Sequence, residues 1–174
     1  MARLIKGFLF VFVGLFIVIT LFSLLIPSQV VVTKGLAINS NPKKVFSEIS
    51  DLQNWKHWLP VFKTDSVVLH FSAGNGLHSS CEWESSGKMN KFFIDSLNAD
   101  KIEVVLTRPG ENDVRNMIRI FPLADSNSVQ VEWRAVTKLK WYPWQKFQGL
   151  FIERMSGESY DEALKGLKSY VEGK

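Results

Sequence analysis

An uncharged apolar run dominates the N-terminal part of the chain. From Gly7 to Ile26 the sequence has 20 residues without a charge, nearly all of them Phe, Leu, Ile or Val. A helix of that length extends about 30 Å, which is the thickness of the hydrocarbon core of a bilayer. The run therefore predicts a single N-terminal transmembrane helix.

A cleaved signal peptide is the alternative for this segment. Signal peptides have an apolar core of roughly 7 to 15 residues and a small-x-small cleavage site, and "FSLLIPSQVV" offers no convincing one. We therefore expect an uncleaved anchor. Arg3 and Lys6 precede the run, and the next basic residue is Lys34, although two further lysines soon after it weaken this asymmetry. The bias predicts a single-pass protein of the inner (cytoplasmic) membrane with its soluble domain on the extracytoplasmic side.

The rest of the chain has the length of one ordinary domain. We divide the sequence into residues 1–28, a short cytoplasmic tail and the anchor, and residues 29–174, one folded domain. The net charge of +4 includes two basic residues of the tail, and charges of both signs are interspersed in the remainder. Such a pattern is not typical of a domain that binds nucleic acid, and we expect no nucleic-acid partner.

The pattern after the anchor predicts an α+β domain. A β-branched run at residues 29–38 predicts a first strand. The Asn-Pro pair at 41–42 is typical of a helix start, and this short helix ends near Ser50. Asp51 can cap a second short helix. From about residue 61 to residue 134, six short runs separated by Gly, Asn, Asp and Ser predict an antiparallel meander, which makes about seven strands in all.

The last part of the chain is predicted to be helical. Apolar residues recur at spacings of three and four from Tyr160 to Val171, which gives a stripe long enough to lie across a sheet. The segment before it places Phe151 and Met155 on one apolar side. Either one long helix kinks near Gly157, or two helices meet there.

Two segments resemble a known family. "AINSNPKKVFSEISDLQNWKHWLP" resembles the opening of the polyketide cyclase/dehydrase and lipid-transport (START-like, SRPBCC) superfamily, in which a strand, an Asn-Pro helix start and an Asp…Trp…Trp-Pro stretch recur. "MSGESYDEALKGLKSYVE" resembles its closing helix. The resemblance covers about Val30 to Glu172, and many bacterial members also have one N-terminal hydrophobic helix. It implies a helix-grip fold, in which a curved antiparallel sheet closes around a long C-terminal helix.

The resemblance also implies a hydrophobic cavity between sheet and helix, closed at one end by the short helices. Trp55 and Trp58 would cap and line its mouth; the alternative is that they complete a small core. The strand around Asp95 leaves its register open, and only one of its two registers would make Asp95 a polar anchor inside the cavity. The side chains predicted to contact a ligand are Trp55, Trp58, Cys81, Trp83, Phe93, Asp95, Asn116, Ile118, Trp133, Phe151 and Met155.

No residue pattern points to a cofactor. His70 and His78 flank a turn, but a zinc site needs three or four ligands and none completes this pair. Cys81 lies on the predicted inner face, where burial makes a thiol inert. We expect no metal, no cofactor and no catalytic residue.

The leading interpretation is a membrane-anchored, non-catalytic protein that holds a lipid or another hydrophobic small molecule. The first alternative is a cyclase or hydrolase that uses Asp95 or Glu153, and the second is an interaction module without a ligand. The segment "KLKWYPWQKF" interleaves lysines with Trp141, Tyr142 and Trp144. These rings are candidates for contact with the membrane interface; alternatively they cover the open end of the cavity.

Overall fold

The computed structural model describes residues 2–63, 67–124 and 127–173. It contains three helices, two short 3₁₀ turns and seven strands within that part of the chain. In chain order they are α1 (Ala2–Leu24), β1 (Gln29–Ile38), α2 (Pro42–Ser50), the 3₁₀ turns Leu52–His57 and Pro60–Phe62, β2 (Leu69–Phe71), β3 (Ser80–Ser85), β4 (Lys88–Leu97), β5 (Lys101–Thr107), β6 (Val114–Pro122), β7 (Val129–Lys138) and α3 (Pro143–Glu172).

Helix α1 coincides with the apolar run. It has 23 residues, and its large side chains are exposed along its whole length. It is long and apolar enough to cross a membrane, a property that it shares with signal sequences. Near its C-terminal end Ser23 is completely buried, and α1 contacts α3. The candidate span is thus attached to the folded body.

The seven strands form one antiparallel sheet. The strand order is β1-β7-β6-β5-β4-β3-β2, so that the chain makes a meander from β2 to β7 and β1 pairs with the last strand. The tight β3–β4 turn has positive φ at Ser86 and Gly87, which suits a two-residue hairpin turn. This arrangement confirms the predicted α+β class and the number of strands. Strand β2 is shorter than the predicted run; residues 64–66 of that run lie outside the described residues.

Helix α3 lies across one face of the sheet as one continuous helix of 30 residues. It runs beside β1: Lys34 forms an ion pair with Asp161 at 2.7 Å, and Lys168 donates to the carbonyl of Ala37 at 3.0 Å. Of the two predicted possibilities, the structure has a single helix. Gly157 is buried in the middle of it, and a Cβ at this position would lie 3.3 Å from the Cε of Lys34, which is closer than an ordinary van der Waals contact.

Aromatic side chains fill one end of the space between the sheet and α3. The rings of Trp55 and Trp58 are fully buried, and their centroids lie 5.1 Å apart. Trp55 also packs edge-on against Phe92 at 5.2 Å and Trp133 at 5.9 Å, and its Nε1 donates to the carbonyl of Ile49 at 2.9 Å. This end of the domain is a solid core.

Candidate functional site

A cavity of about 510 Å³ lies at the other end of the domain. Its floor is the inner face of β1, β5, β6 and β7, and its roof is the part of α3 from Gln145 to Ala163. The 3₁₀ turn at Pro60–Phe62 closes it toward the aromatic core. The apolar lining residues are Val32, Leu59, Val61, Leu106, Val114, Ala135, Leu139, Ile152 and Ala163. This volume falls within the range of sites that hold small molecules.

One buried hydrogen-bonded pair lies in the floor. The Nε1 of Trp133 donates to the Oδ1 of Asn116 at 3.0 Å. The Nδ2 of Asn116 in turn donates to the carbonyl oxygens of Val104 and Val114, at 3.3 and 3.2 Å. Because the amide uses both its oxygen and its nitrogen within the protein, Asn116 organises the floor and has little capacity left for a ligand.

Tyr160 supplies a polar group in the roof. Its ring meets that of Trp133 at 5.4 Å in an edge-on contact. The hydroxyl makes no hydrogen bond within the part of the chain that the structure describes. Burial raises the pKa of Tyr160, and the positive charge of Arg108 opposes part of that shift. The phenol therefore stays protonated at neutral pH and can donate a hydrogen bond to a ligand.

Polar side chains surround the mouth of the cavity. Arg108 and Glu111 of the β5–β6 loop form an exposed ion pair at 3.2 Å. Asn112 of the same loop donates to the Oε1 of Gln145 on α3 at 3.0 Å, and the backbone N–H of Lys140 donates to the same oxygen at 3.0 Å. Gln145 thus ties the loop to the first turn of α3. The site as a whole combines apolar side chains with polar ones, which include Gln148, Ser156 and Ser159 of α3, and this combination fits an amphiphilic molecule.

The structure places the predicted ligand-contacting residues in three different environments. Asn116 and Trp133 line the cavity. A second group, all buried, belongs to the solid part of the domain and does not line it: Trp55, Trp58, Cys81, Trp83 and Ile118. Trp55 and Trp58 therefore complete a core, which was the alternative to their capping the mouth of the cavity.

Phe93 and Asp95 lie on the outer face of the sheet. In β4 the buried residues are Asn90, Phe92 and Ile94, so the opposite register holds and Phe93 is only partly buried. Asp95 is exposed and lies 3.5 Å from Arg115 in a surface ion pair. The expectation that these two side chains face the interior is wrong.

Phe151 and Met155 lie on the outside of α3, with 61% and 76% of their surface exposed. The helix is rotated so that Gly149 and Gly157 face the body. A Cβ at position 149 would overlap the side chain of Leu139, so this glycine permits the close approach of α3. The expectation that Phe151 and Met155 line the cavity is therefore wrong. Glu153 is also exposed, and with Asp95 outside as well, neither carboxylate named for the enzyme alternative lies in the cavity.

Sequence reasoning missed several residues of the roof and rim. Arg108 and Gln145 carried no recognisable signal, because they belong to a loop and to a helix start. Ile152 and Ser156 were detectable: they extend the stripe of Tyr160 backwards at spacings of four. The stronger apolar pattern on the other side of this segment obscured that stripe.

Two further predicted features are placed by the structure. Cys81 is completely buried, and desolvation together with the charge of Glu82 raises the pKa of its thiol to about 12. Within the described ranges no group of three or more His, Cys, Asp or Glu side chains has the arrangement of a metal site.

The three rings after β7 stand outside the cavity. Trp141 and Trp144 are 62% and 61% exposed, and Tyr142 stacks on Trp144 at 5.0 Å. None of the three lines the cavity, so they do not cover its open end.

Comparison with known proteins identifies the fold. No family model and no curated protein matches the sequence. Among solved structures, a START superfamily protein from Mycobacterium smegmatis has a TM-score of 0.61 at 16% identity over 82% of this chain and 97% of its own. A protein from Thermus thermophilus gives 0.59 at 19% identity over 82% and 97%, and XoxI from Bacillus cereus gives 0.60 at 16% over 82% and 95%. The domain therefore has a START-like fold, and similarity at these identities shows the fold alone.

Proposed function

We propose that this START-like domain is a non-catalytic binding protein for a lipid or another hydrophobic small molecule, anchored by α1 in the inner membrane with the domain on the extracytoplasmic side. The observation that carries the proposal is the cavity of about 510 Å³, which is lined by apolar and polar side chains, together with the hydroxyl of Tyr160, which bonds to no residue in the described part of the chain. Water in such a space is poorly hydrogen-bonded. An apolar chain that replaces it gains roughly 25 cal/mol per Å² buried.

The polar groups suggest how a ligand is oriented. The apolar walls lie deep, against Ala135 and Ala163, whereas Arg108 and Asn112 belong to the rim. An amphiphile would place its chain inside and its polar group at the rim, where Arg108 can bond to it, and the hydroxyl of Tyr160 in the roof offers a second donor. The two carboxylates that line the cavity, Glu111 and Glu162, are both exposed and accessible to solvent, and this favours carriage over chemistry.

The first experiment measures co-purified ligand. The full-length protein, extracted in mild detergent, is expected to show a reproducible bound mass by native mass spectrometry. Ala135→Phe puts a ring into the floor and should remove that mass, whereas Ala37→Phe, an exposed position of β1, should keep it. Melting curves establish that both variants fold. Clean ligand-free wild-type protein, or an Ala135→Phe variant that is folded and still loaded, would contradict the proposal.

The second experiment tests the anchor and its orientation. Lys165 is exposed on α3, and a Lys165→Cys variant offers a reactive thiol while Cys81 stays inert. A membrane-impermeant maleimide should label this variant in intact spheroplasts of the expression host, and the protein should stay in the membrane after a carbonate wash. Labelling only after lysis would show that the domain lies on the cytoplasmic side. Release of the protein by carbonate would show that α1 does not anchor it in the membrane.

A further inference from the structure

An exposed apolar stripe runs along the N-terminal half of α3. It consists of Trp144, Phe147, Phe151 and Met155, with exposed fractions of 61%, 40%, 61% and 76%. Their spacing of three and four residues puts them on one side of the helix. We refer to these four residues as the α3 stripe. Trp141, just before the helix, continues it and is 62% exposed.

The α3 stripe is separate from the part of α3 that packs on the body. Gly149 and Gly157 face the sheet, Ile152 and Ser156 line the cavity, and the stripe occupies the remaining side. Scattered single apolar residues on a surface are ordinary, but a continuous row of large ones marks a surface that meets something apolar.

The start of α3 is fixed next to the end of α1. The ammonium group of Lys146, 3% exposed, donates to the carbonyl of Ile26 at 2.9 Å and to the hydroxyl of Ser28 at 2.7 Å. The backbone N–H of Leu139 donates to the carbonyl of Ser28 at 2.8 Å. These bonds hold the first turn of α3 at the point where the chain leaves the apolar helix.

The charges beside the stripe also favour a lipid surface. Lys138 and Lys140 are both exposed and directly precede Trp141. Lysines whose stems lie along apolar surface reach headgroup phosphates, and tryptophan rings prefer the same interfacial layer.

We propose that the α3 stripe lies in the interfacial layer of the bilayer that α1 spans, so that the cavity opens toward the lipid. This inference rests on the proposed function, because it requires α1 to be in the membrane. From Trp144 to Met155 the stripe is about 17 Å long. A helix with one apolar side lies along a bilayer surface with that side immersed by about 5 to 10 Å.

Such docking would place the mouth beside the membrane. Gln148 lines the cavity and lies one turn from both Trp144 and Phe151. Gln145, which accepts the hydrogen bond from Asn112 at the rim, lies in the same helical turn as Trp144 and Gln148. A lipid could then pass from the bilayer into the cavity over the edge of α3 without crossing water.

The test measures immersion depth with nitroxide labels. The full chain carries a single buried cysteine, so Phe151→Cys, Met155→Cys, Lys165→Cys and Phe16→Cys can each be labelled selectively. The labelled proteins are reconstituted into vesicles of phosphatidylcholine and phosphatidylglycerol. Power-saturation EPR then compares collisions with oxygen, which concentrates in lipid, and with a water-soluble nickel chelate. Lys165 is the control on the same helix, and Phe16 reports the span.

The expected result is high oxygen and low nickel accessibility at positions 151 and 155, with the reverse at position 165. Nickel accessibility at 151 and 155 equal to that at 165 overturns docking. Low accessibility to both reagents means that a second copy of the chain covers the stripe, which also overturns it. If position 16 is not immersed, the transmembrane anchor of the proposed function is contradicted. If position 16 is immersed but positions 151 and 155 are not, only the docking of the α3 stripe is contradicted. Ligand carriage is measured separately by the bound mass.

Discussion

Trp133 on β7 and Asn116 on β6 are joined by a hydrogen bond of 3.0 Å between the indole nitrogen and the amide oxygen. Both side chains are buried, at 3% and 2% exposure, and both form part of the cavity floor. A buried amide with all its groups paired is energetically favourable only while the pairing is complete. This pair therefore fixes the position of the largest ring in the floor and, with it, the shape of the cavity.

Replacement of Asn116 by leucine is expected to lower the free energy of unfolding by about 1 to 3 kcal/mol, because it leaves the indole N–H of Trp133 without its acceptor and removes the two side-chain hydrogen bonds to the carbonyls of Val104 and Val114. Urea denaturation of the full chain in detergent measures this change. Asn98→Leu, in an exposed turn, should change stability by no more than about 0.5 kcal/mol. In a double-mutant cycle with Trp133→Phe the losses should be less than additive. Additive losses would show that the pair is not coupled.

The Asn116–Trp133 pair also shows what the sequence can predict. Alternation with a period of two is enough to identify the inner faces of β3, β6 and β7, because each of these strands has one mostly polar and one mostly apolar side. In β4, Phe92 and Phe93 are adjacent, and alternation cannot tell which of two neighbouring rings faces the core. A register shift in the pairing of β4 with β5, between Ile94 and Ser96, adds to this ambiguity. The wrong placement of Asp95 follows from it.

The pKa of the Cys81 thiol predicts its reactivity and a pH dependence. Burial and the charge of Glu82 raise this pKa from 9.0 to about 12, so the folded state disfavours the thiolate. Maleimide should not modify folded protein at pH 8 and should modify it fully in denaturant. The unfolded chain loses this proton near pH 9, whereas the folded protein keeps it until about pH 12. The contribution of this proton to the free energy of unfolding should therefore be fully present below pH 9 and be lost as the pH rises toward 12.

A Cys81→Ala variant gives the control for that pH dependence. Its unfolding free energy should be lower at pH 7, since a buried side chain is shortened, but it should decline less steeply between pH 9 and pH 11. Identical slopes for the two proteins would show that Cys81 titrates normally in the folded state.

Gly166 allows the C-terminal half of α3 to approach the short helices. A Cβ at this position would overlap the backbone carbonyl oxygen of Trp58, which cannot move aside as a side chain can. We expect Gly166→Ala to lower stability by about 1 to 3 kcal/mol, despite the gain of roughly 1 kcal/mol in helix propensity. Thermal unfolding measures this effect. Lys165→Ala, the exposed neighbour, should be nearly neutral, and a Gly166→Ala variant as stable as wild type would mean that α3 can shift.

The error in the placement of Phe151 and Met155 has a different origin from that in β4. The pattern of this segment is a correct amphipathic pattern, but its apolar side faces away from the protein. A sequence shows which side of a helix avoids water; it does not show whether protein or lipid covers that side. Small residues marked the packed side here, since the buried Gly149 and Gly157 lie against the side chains of Leu139, Val30 and Lys34. Glycines spaced along a helix are therefore a useful second signal in such segments.

Lys146 is expected to control how firmly α3 is held at the end of α1. Lys146→Met keeps the length and most of the volume of the side chain but removes the ammonium group. The carbonyl of Ile26 and the hydroxyl of Ser28 then lose their charged hydrogen-bond donor. Bonds of this kind contribute about 1.5 to 3 kcal/mol each. Hydrogen exchange of the full chain in lipid nanodiscs, followed by mass spectrometry, should show faster exchange in peptides that cover residues 139–150.

The rest of α3 provides an internal reference for this variant. Peptides from residues 160–172 should exchange as in wild type, because Leu164 and Leu167 hold that half of the helix in the core. Lys165→Met, which removes an exposed lysine from the same helix, should leave both regions unchanged. Faster exchange throughout α3 would mean general destabilisation, and unchanged exchange at 139–150 would mean that Lys146 does not hold the junction. If the junction alone loosens, the label at position 151 should become more accessible to the nickel chelate, because the stripe then lacks the attachment that keeps it at the membrane.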